Sequence, residues 1–149
     1  MESAPRGLTP EVQRTARYTA TRLMQRAYRP TLDALGLTYP QYLVMLVLWD
    51  ARHGGAPSPS VSELGERLRL DSGTLTPLLK RLTERGFVQR RRSEEDERRV
   101  RVALTEAGEA LEAQAVQVPM GMLSRLTDVA DDMADLMPRL RRLIDALEV

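Results

Sequence analysis

Between positions 72 and 81 the sequence sets small and hydroxylated residues ahead of two cations: Ser72, Gly73, Thr74, Thr76, Pro77, Lys80 and Arg81. Leu75, Leu78, Leu79 and Leu82 interleave with them at helical spacing, so a helix here buries its leucines and leaves the polar set on the opposite face. Such a helix end enters a major groove about 12 Å wide and bonds to base edges. Its free N–H groups also attract phosphate. A second basic set follows: Arg90, Arg91 and Arg92, then Arg98 and Arg99 beside Asp96. A guanidinium on a narrow hairpin reaches a minor groove, where positive charge is favoured. Asp96 stands two residues before Arg98 and is placed to hold that side chain in one rotamer. Taken alone, the hairpin reads better as a solvated loop in which the acids from Glu94 to Glu97 neutralise the arginines; its place after a helix-turn-helix turns the reading to DNA.

Other chemistry is scarce. There are no cysteines and one histidine, His53, among 149 residues. Disulfides and thiolate metal sites are excluded on that count, and no Gly-rich phosphate loop is present. The paired acids Asp131-Asp132 and Glu94-Glu95-Asp96 fall on polar segments rather than in a pocket, so an enzyme is not expected and no cofactor or metal is called for. His53 lies in a Gly- and Pro-rich stretch and is expected to be exposed. The net charge of +1 conceals an asymmetry. Positions 80–101 hold nine Arg or Lys against five acids, and positions 103–149 hold four against nine. A basic block of this kind suits a nucleic-acid partner. No apolar run approaches the ~20 residues of a membrane helix, and the arginine-rich start does not suit a leader, so a cytoplasmic protein without membrane contact is expected.

The elements that must position these residues follow from caps and periodicity. Thr9-Pro10 starts a helix carrying Val12, Ala16, Ala20, Leu23 and Ala27, which Gly36 ends and Pro30 is expected to kink. Thr38-Tyr39-Pro40-Gln41 starts a second, with Tyr42, Met45, Leu46 and Trp49 as its apolar stripe. Ser60-Val61-Ser62-Glu63 is a capping box for a short third helix, with Val61, Leu64 and Leu68 inward. Asp71 caps the next, expected over about 72–85, with Arg69-Leu70 as the tight turn before it. Two short strands, Phe87–Arg90 and Val100–Leu104, bound a wing over about 87–104. Thr105 caps a helix with Leu111, Ala115 and Val118, interrupted at Pro119; a last helix carries Met133, Leu136, Met137, Leu140, Leu143, Ile144 and Leu147, with a break at Pro138. The expected fold is mainly α with a small two-stranded β wing: a winged helix-turn-helix lobe over 38–104, with dimerisation helices over 9–35 and 105–149. The terminal helices carry apolar stripes that so small a lobe cannot cover. Pairing with a second copy buries them and presents two reading helices to half-sites about 10 base pairs apart.

The segment Leu70-Asp71-Ser72-Gly73-Thr74-Leu75-Thr76-Pro77-Leu78-Leu79-Lys80-Arg81-Leu82 resembles the recognition helix of MarR-family regulators, most closely the organic-hydroperoxide-sensing (OhrR) branch. Asp96-Glu97-Arg98 resembles the family's wing signature, Leu104-Thr105-Glu106-Ala107-Gly108 the segment after it, and Leu37-Thr38-Tyr39-Pro40-Gln41-Tyr42-Leu43 a stretch of the same branch. The resemblance runs from about Tyr18 to the C-terminus. It implies a homodimer that binds a palindromic operator in double-stranded DNA, usually as a repressor, with Arg98 as the minor-groove arginine and Asp96 its support. That branch carries a reactive cysteine four residues before a tyrosine. The tyrosine matches Tyr18, so the cysteine position falls on Arg14, which cannot form a sulfenic acid. Cysteine-based peroxide sensing is therefore excluded. The supporting tyrosines of the branch match Tyr18, Tyr28 and Tyr39. These either line a pocket for an unknown small-molecule effector or are ordinary core and interface tyrosines. A winged helix that meets only protein partners is the alternative to a DNA reader; salt dependence of DNA binding separates the two.

Overall fold

The structure, a computed structural model, describes residues 10–93, 96 and 99–123, together with the isolated positions 135, 138, 139 and 142. Arg98 and the apolar stripe expected from Met133 to Leu147 lie outside the described residues, as do the side chains of Val12 and Ala16.

Helix α1 (Pro10–Leu35) runs through Pro30 as one element. Gly36 ends it with φ of 65°, which lets Leu37 N–H donate back to Leu32 O at 3.0 Å. Helix α2 (Tyr39–His53) opens on a full capping box: Thr38 Oγ1 accepts from the Gln41 N–H while Gln41 Oε1 accepts from the Thr38 N–H. It is the central helix, with Tyr42, Val44, Met45, Leu48, Trp49 and Ala51 buried. The expected stripe is correct at Tyr42, Met45 and Trp49 but not at Leu46, which is 39% exposed. Helix α2 is covered on more than one side, so its buried arc is wider than one stripe and centres on Met45 and Leu48 rather than on Leu46.

Helix α3 (Val61–Leu68) has the second capping box, with Ser60 N–H donating to Glu63 Oε2 at 2.7 Å and Glu63 N–H donating to Ser60 Oγ at 3.1 Å. The turn into α4 (Ser72–Glu84) is made by Arg69, whose φ of 53° is left-handed without being glycine. Leu70 N–H donates to Gly65 O at 2.9 Å, closing the turn. Strands β1 (Val88–Arg92) and β2 (Val100–Leu104) pair antiparallel with Val88 opposite Leu104 and Arg92 opposite Val100. The first strand thus starts and ends later than the composition suggested. The wing is joined to the lobe at its root: Val102 N–H donates to Pro59 O, and Ser60 bridges to Arg101.

Helix α5 (Glu106–Ala115) is capped by Thr105 Oγ1, which accepts from Gly108 N–H at 3.1 Å. It gives way to α6 (Gln117–Leu123) at Val116, three residues before the proline expected to interrupt it. The proline ring clashes with the carbonyl four residues back, here that of Ala115, so the break belongs before Pro119 and not at it. One core joins α2, α3, α4, the wing and α5 through Leu64, Leu75, Leu79, Leu82, Val88, Val102 and Leu111. Trp49 Nε1–H donates to Gly108 O at 2.9 Å inside it, fastening α2 to the start of α5.

Candidate nucleic-acid interface

Helix α4 is held by its leucines. Leu75, Leu79 and Leu82 are at most 1% exposed, and Leu78 is half-buried. With that face committed, Ser72, Gly73, Thr74, Thr76, Pro77, Lys80 and Arg81 all stand in solvent. Pro77 is the sixth helical residue. Its ring faces outward and costs one backbone bond near the first turns, where an interior proline is most tolerable. Lys80 pairs loosely with Glu84 at 3.9 Å on the exposed side. Arg85, just past the helix, is turned back onto the lobe: its guanidinium lies over the Phe87 ring at 5.0 Å and beside Gly36.

The N-terminus of α4 holds a charge that sequence reasoning used only as a cap. Asp71 Oδ1 accepts from the Thr74 N–H at 2.8 Å, and Asp71 Oδ2 accepts from the Thr74 hydroxyl at 3.0 Å. These bonds, the backbone one first, hold the Asp71 carboxyl below its usual range. A carboxylate therefore already answers the free N–H groups and the positive end of the helix dipole, where phosphate attraction was expected.

The wing arginines do not share one surface. Successive side chains in a strand alternate, so Arg90 and Arg92 lie on one face of β1 and Arg91 on the other. Arg90 borders a groove shared with Ser62, Glu66 and Arg99, between α3 and the wing. Arg91 borders a hollow with Arg52 and Glu109. Near the tip, Arg99 N–H donates to Asp96 O at 2.9 Å and its Nε approaches Asp96 Oδ2 at 3.7 Å. Among the described residues, then, Asp96 supports Arg99. Arg101, which sequence reasoning left in the strand without a role, ties the wing to the lobe: it donates to Ser58 O at 2.8 Å and to Ser93 Oγ at 3.4 Å. Its position between two valines gave no sign of this, because Ser58 is 43 positions away in sequence.

The tyrosines divide. Tyr28 packs against Tyr39 at 5.4 Å and against Tyr42 at 6.4 Å, and Tyr42 meets the Trp49 edge at 6.4 Å. Burial, then the neighbouring phenols, raise the Tyr39 and Tyr42 pKa values above the usual tyrosine value. Tyr39 also lines an open groove of about 790 Å³ with Arg22, Arg26, Arg29 and Thr38. Tyr18 is apart from this cluster, 65% exposed, with Arg22 reaching its hydroxyl at 3.4 Å. His53 is exposed as expected but not unengaged, for its Nε2 lies 2.6 Å from Glu112 Oε1 of α5.

The family described as transcriptional regulator SarA/Rot matches residues 26–114, from the second half of α1 through the helix-turn-helix and wing into α5. The chain belongs to this family of regulators. Over 130 residues the regulator is 43% identical to the organic hydroperoxide resistance transcriptional regulator of Bacillus subtilis (strain 168), a match spanning 87% of this chain and 85% of that one. Among solved structures it is similar to AbfR of Staphylococcus epidermidis, with a TM-score of 0.76, 30% identity and coverage of 92% and 91% of the two chains. The structure of reduced AbfR bound to DNA gives 0.74 and 29%, covering 95% and 100%. Apo MarR from E. coli gives 0.69 and 26%, covering 95% and 98%. These likenesses agree with the MarR-type resemblance near the organic-hydroperoxide branch. The regulator has no cysteine, so it cannot sense peroxide by cysteine oxidation. Among the described residues no single helix is long and apolar enough to cross a membrane.

Proposed function

We propose that the regulator binds a palindromic DNA operator as a homodimer in the cytoplasm and represses the genes beside it. Helix α4 enters the major groove through Ser72, Gly73, Thr74, Thr76 and Pro77, and Lys80 and Arg81 meet the phosphates. The wing lies along the adjacent minor groove, with Arg98 entering it and Asp96, Arg99, Arg90 and Arg92 around it. Arg91 takes a more distant place, on the opposite face of β1. The observation that carries this reading is the division of α4: every residue suited to DNA is in solvent while the leucines opposite anchor the helix in the core. The similar protein bound to DNA supports it.

The test is fluorescence anisotropy with palindromic and scrambled duplexes, including the promoter region beside the regulator's own gene. Selective binding that falls about a thousandfold between 50 and 200 mM salt is expected for six or more phosphate contacts. Absence of selective binding at either salt overturns the reading in favour of a protein-binding winged helix.

An effector site is a second proposal, motivated by the groove in which Tyr39 meets three arginines. Tyr28 supports Tyr39 there, and Tyr18 of the same chain stands outside it. Phenolic acids titrated into the operator complex are expected to release DNA. If none changes operator affinity, the tyrosines are core and interface residues only.

A further inference from the structure

We propose that Asp71 sets the hydrogen-bond polarity of Thr74, so that Thr74 reads DNA as an acceptor and methyl contact, facing an exocyclic amino group of a base. This rests on the DNA-binding reading above and specifies what one of its contacts recognises.

A hydroxyl has one proton to give and two lone pairs, whereas an ionised carboxylate only accepts. Thr74 Oγ1 lies 3.0 Å from Asp71 Oδ2, so the proton between them is the threonine's. The carboxylate is itself held in place, since its other oxygen accepts the Thr74 backbone N–H at 2.8 Å. The two bonds lock one side chain to the other across the first turn. The same N–H lowers the Asp71 pKa, so the carboxylate stays ionised at neutral pH. What Thr74 then shows to solvent is oxygen lone pairs and its methyl group.

In the major groove the amino donors are adenine N6 and cytosine N4, while guanine O6, thymine O4 and the purine N7 atoms are acceptors. An acceptor-only threonine bonds the first set and meets the second with repulsion between lone pairs. The Asp71 charge acts in the same direction on a second quantity. A carboxylate at the reading end of α4 repels any phosphate that approaches there, weakening binding to DNA in the wrong register and leaving affinity to depend on base contacts.

The experiment enriches duplexes from a random pool with the wild type, Thr74→Val and Asp71→Asn. Valine keeps the threonine shape, and its backbone N–H still bonds Asp71; asparagine keeps the cap. The base pair whose preference relaxes in Thr74→Val is the one that Thr74 faces. In the best wild-type duplex, the amino group of that pair is then replaced by hydrogen, with purine for adenine or pyrimidin-2-one for cytosine. Wild-type affinity is expected to fall about three- to tenfold, the worth of one hydrogen bond, with no fall for Thr74→Val. Asp71→Asn is expected to discriminate less at that pair and to bind a scrambled duplex more tightly, a gain that mere loss of structure does not produce. Coupling of Thr74 to a purine N7, revealed by 7-deaza substitution, overturns the inference. So does a Thr74→Val protein that binds with unchanged base preference, or an Asp71→Asn protein that behaves as wild type. A wild type that enriches no sequence overturns the DNA-binding reading itself, an outcome distinct from the other three.

Discussion

Gly108 is the residue on which the wing, α2 and α5 converge. A Cβ there would overlap Phe87 O, a backbone atom that cannot swing aside. Its own carbonyl accepts the Trp49 indole N–H. Gly108→Ala is therefore expected to cost about 2–3 kcal/mol, the upper range for overpacking a core. Trp49 is the single tryptophan, so its fluorescence follows the urea unfolding that measures the loss; an unchanged midpoint would show that β1 yields without cost. Arg69 presents the opposite case. It occupies the left-handed conformation that ordinarily goes to glycine, and Arg69→Gly is expected to raise stability by about 0.5–1 kcal/mol. A thermal melt that moves down would mean that the arginine side chain outweighs the backbone strain. The turn at Arg69-Leu70 was legible in the residues, but neither its left-handed backbone nor the role of Gly108 was. Leu104-Thr105-Glu106-Ala107-Gly108 was recognised as a resembling stretch, but close approach of two backbones has no local pattern. The Asp71 cap, by contrast, was legible from its place before the helix. Its second bond, to the Thr74 hydroxyl, needed a rotamer that sequence does not show.

At the scale of elements, caps account for most of what could be read in advance. The Thr38, Ser60, Asp71 and Thr105 caps all stand where polar residues precede an apolar periodicity, because the orphan N–H groups of a first turn need a nearby oxygen. Glu63 turns this into a pH dependence. The Ser60 N–H that it accepts is the main cause of its lowered pKa, below the ordinary 4.5. A carboxyl depressed in the folded state contributes stability that is present above its unfolded pKa and is lost as pH falls through the folded one. Glu63→Gln keeps the acceptor but not the charge, so its acid limb below about pH 4.5 is expected to be shallower than that of the wild type. Urea midpoints measured from pH 7 down to pH 3 check this, and parallel curves would remove Glu63 as a contributor. The wing was less legible. Its two strands were placed within two residues, but the three consecutive arginines were assigned to one strand without regard to the alternation that divides them between its faces. The anchor, Arg101 to Ser58, joins segments that no local pattern connects. Arg101→Ala is expected to loosen the wing and to weaken operator binding about tenfold, the worth of roughly one charged hydrogen bond. The slope against salt should stay unchanged, since only removal of a group that neutralises a phosphate lowers it, by about one each. A reduced slope would show that Arg101 touches DNA directly.

Among the described residues, large apolar side chains of the terminal helices stand in solvent. Leu23 and Met24 on α1 are 57% and 40% exposed, and Val116 and Met120, before and within α6, are 57% and 56% exposed. Helices α1 and α6 pack together, so these side chains come from neighbouring elements outside the reading lobe. Of the stripes that the sequence placed on the terminal helices, Leu23 is uncovered within one chain, whereas Leu111, Ala115 and Val118 are buried in the chain's own core. If two copies pair through this region, the two α4 helices stand at a fixed separation that a two-fold operator must match. Two consequences can be measured. Leu23→Asp is expected to shift sedimentation from dimer to monomer and to abolish tight operator binding while leaving the lobe folded by its Trp49 fluorescence. Inserting five base pairs at the centre of the operator turns one half-site by about half a helical turn, and wild-type affinity should fall to that of a single half-site. A dimer that tolerates the insertion would have lobes that move independently of α1 and α6. A Leu23→Asp protein that remains dimeric would place the interface away from this face. In either case the link from exposed apolar helix to fixed half-site spacing would break at an identifiable step.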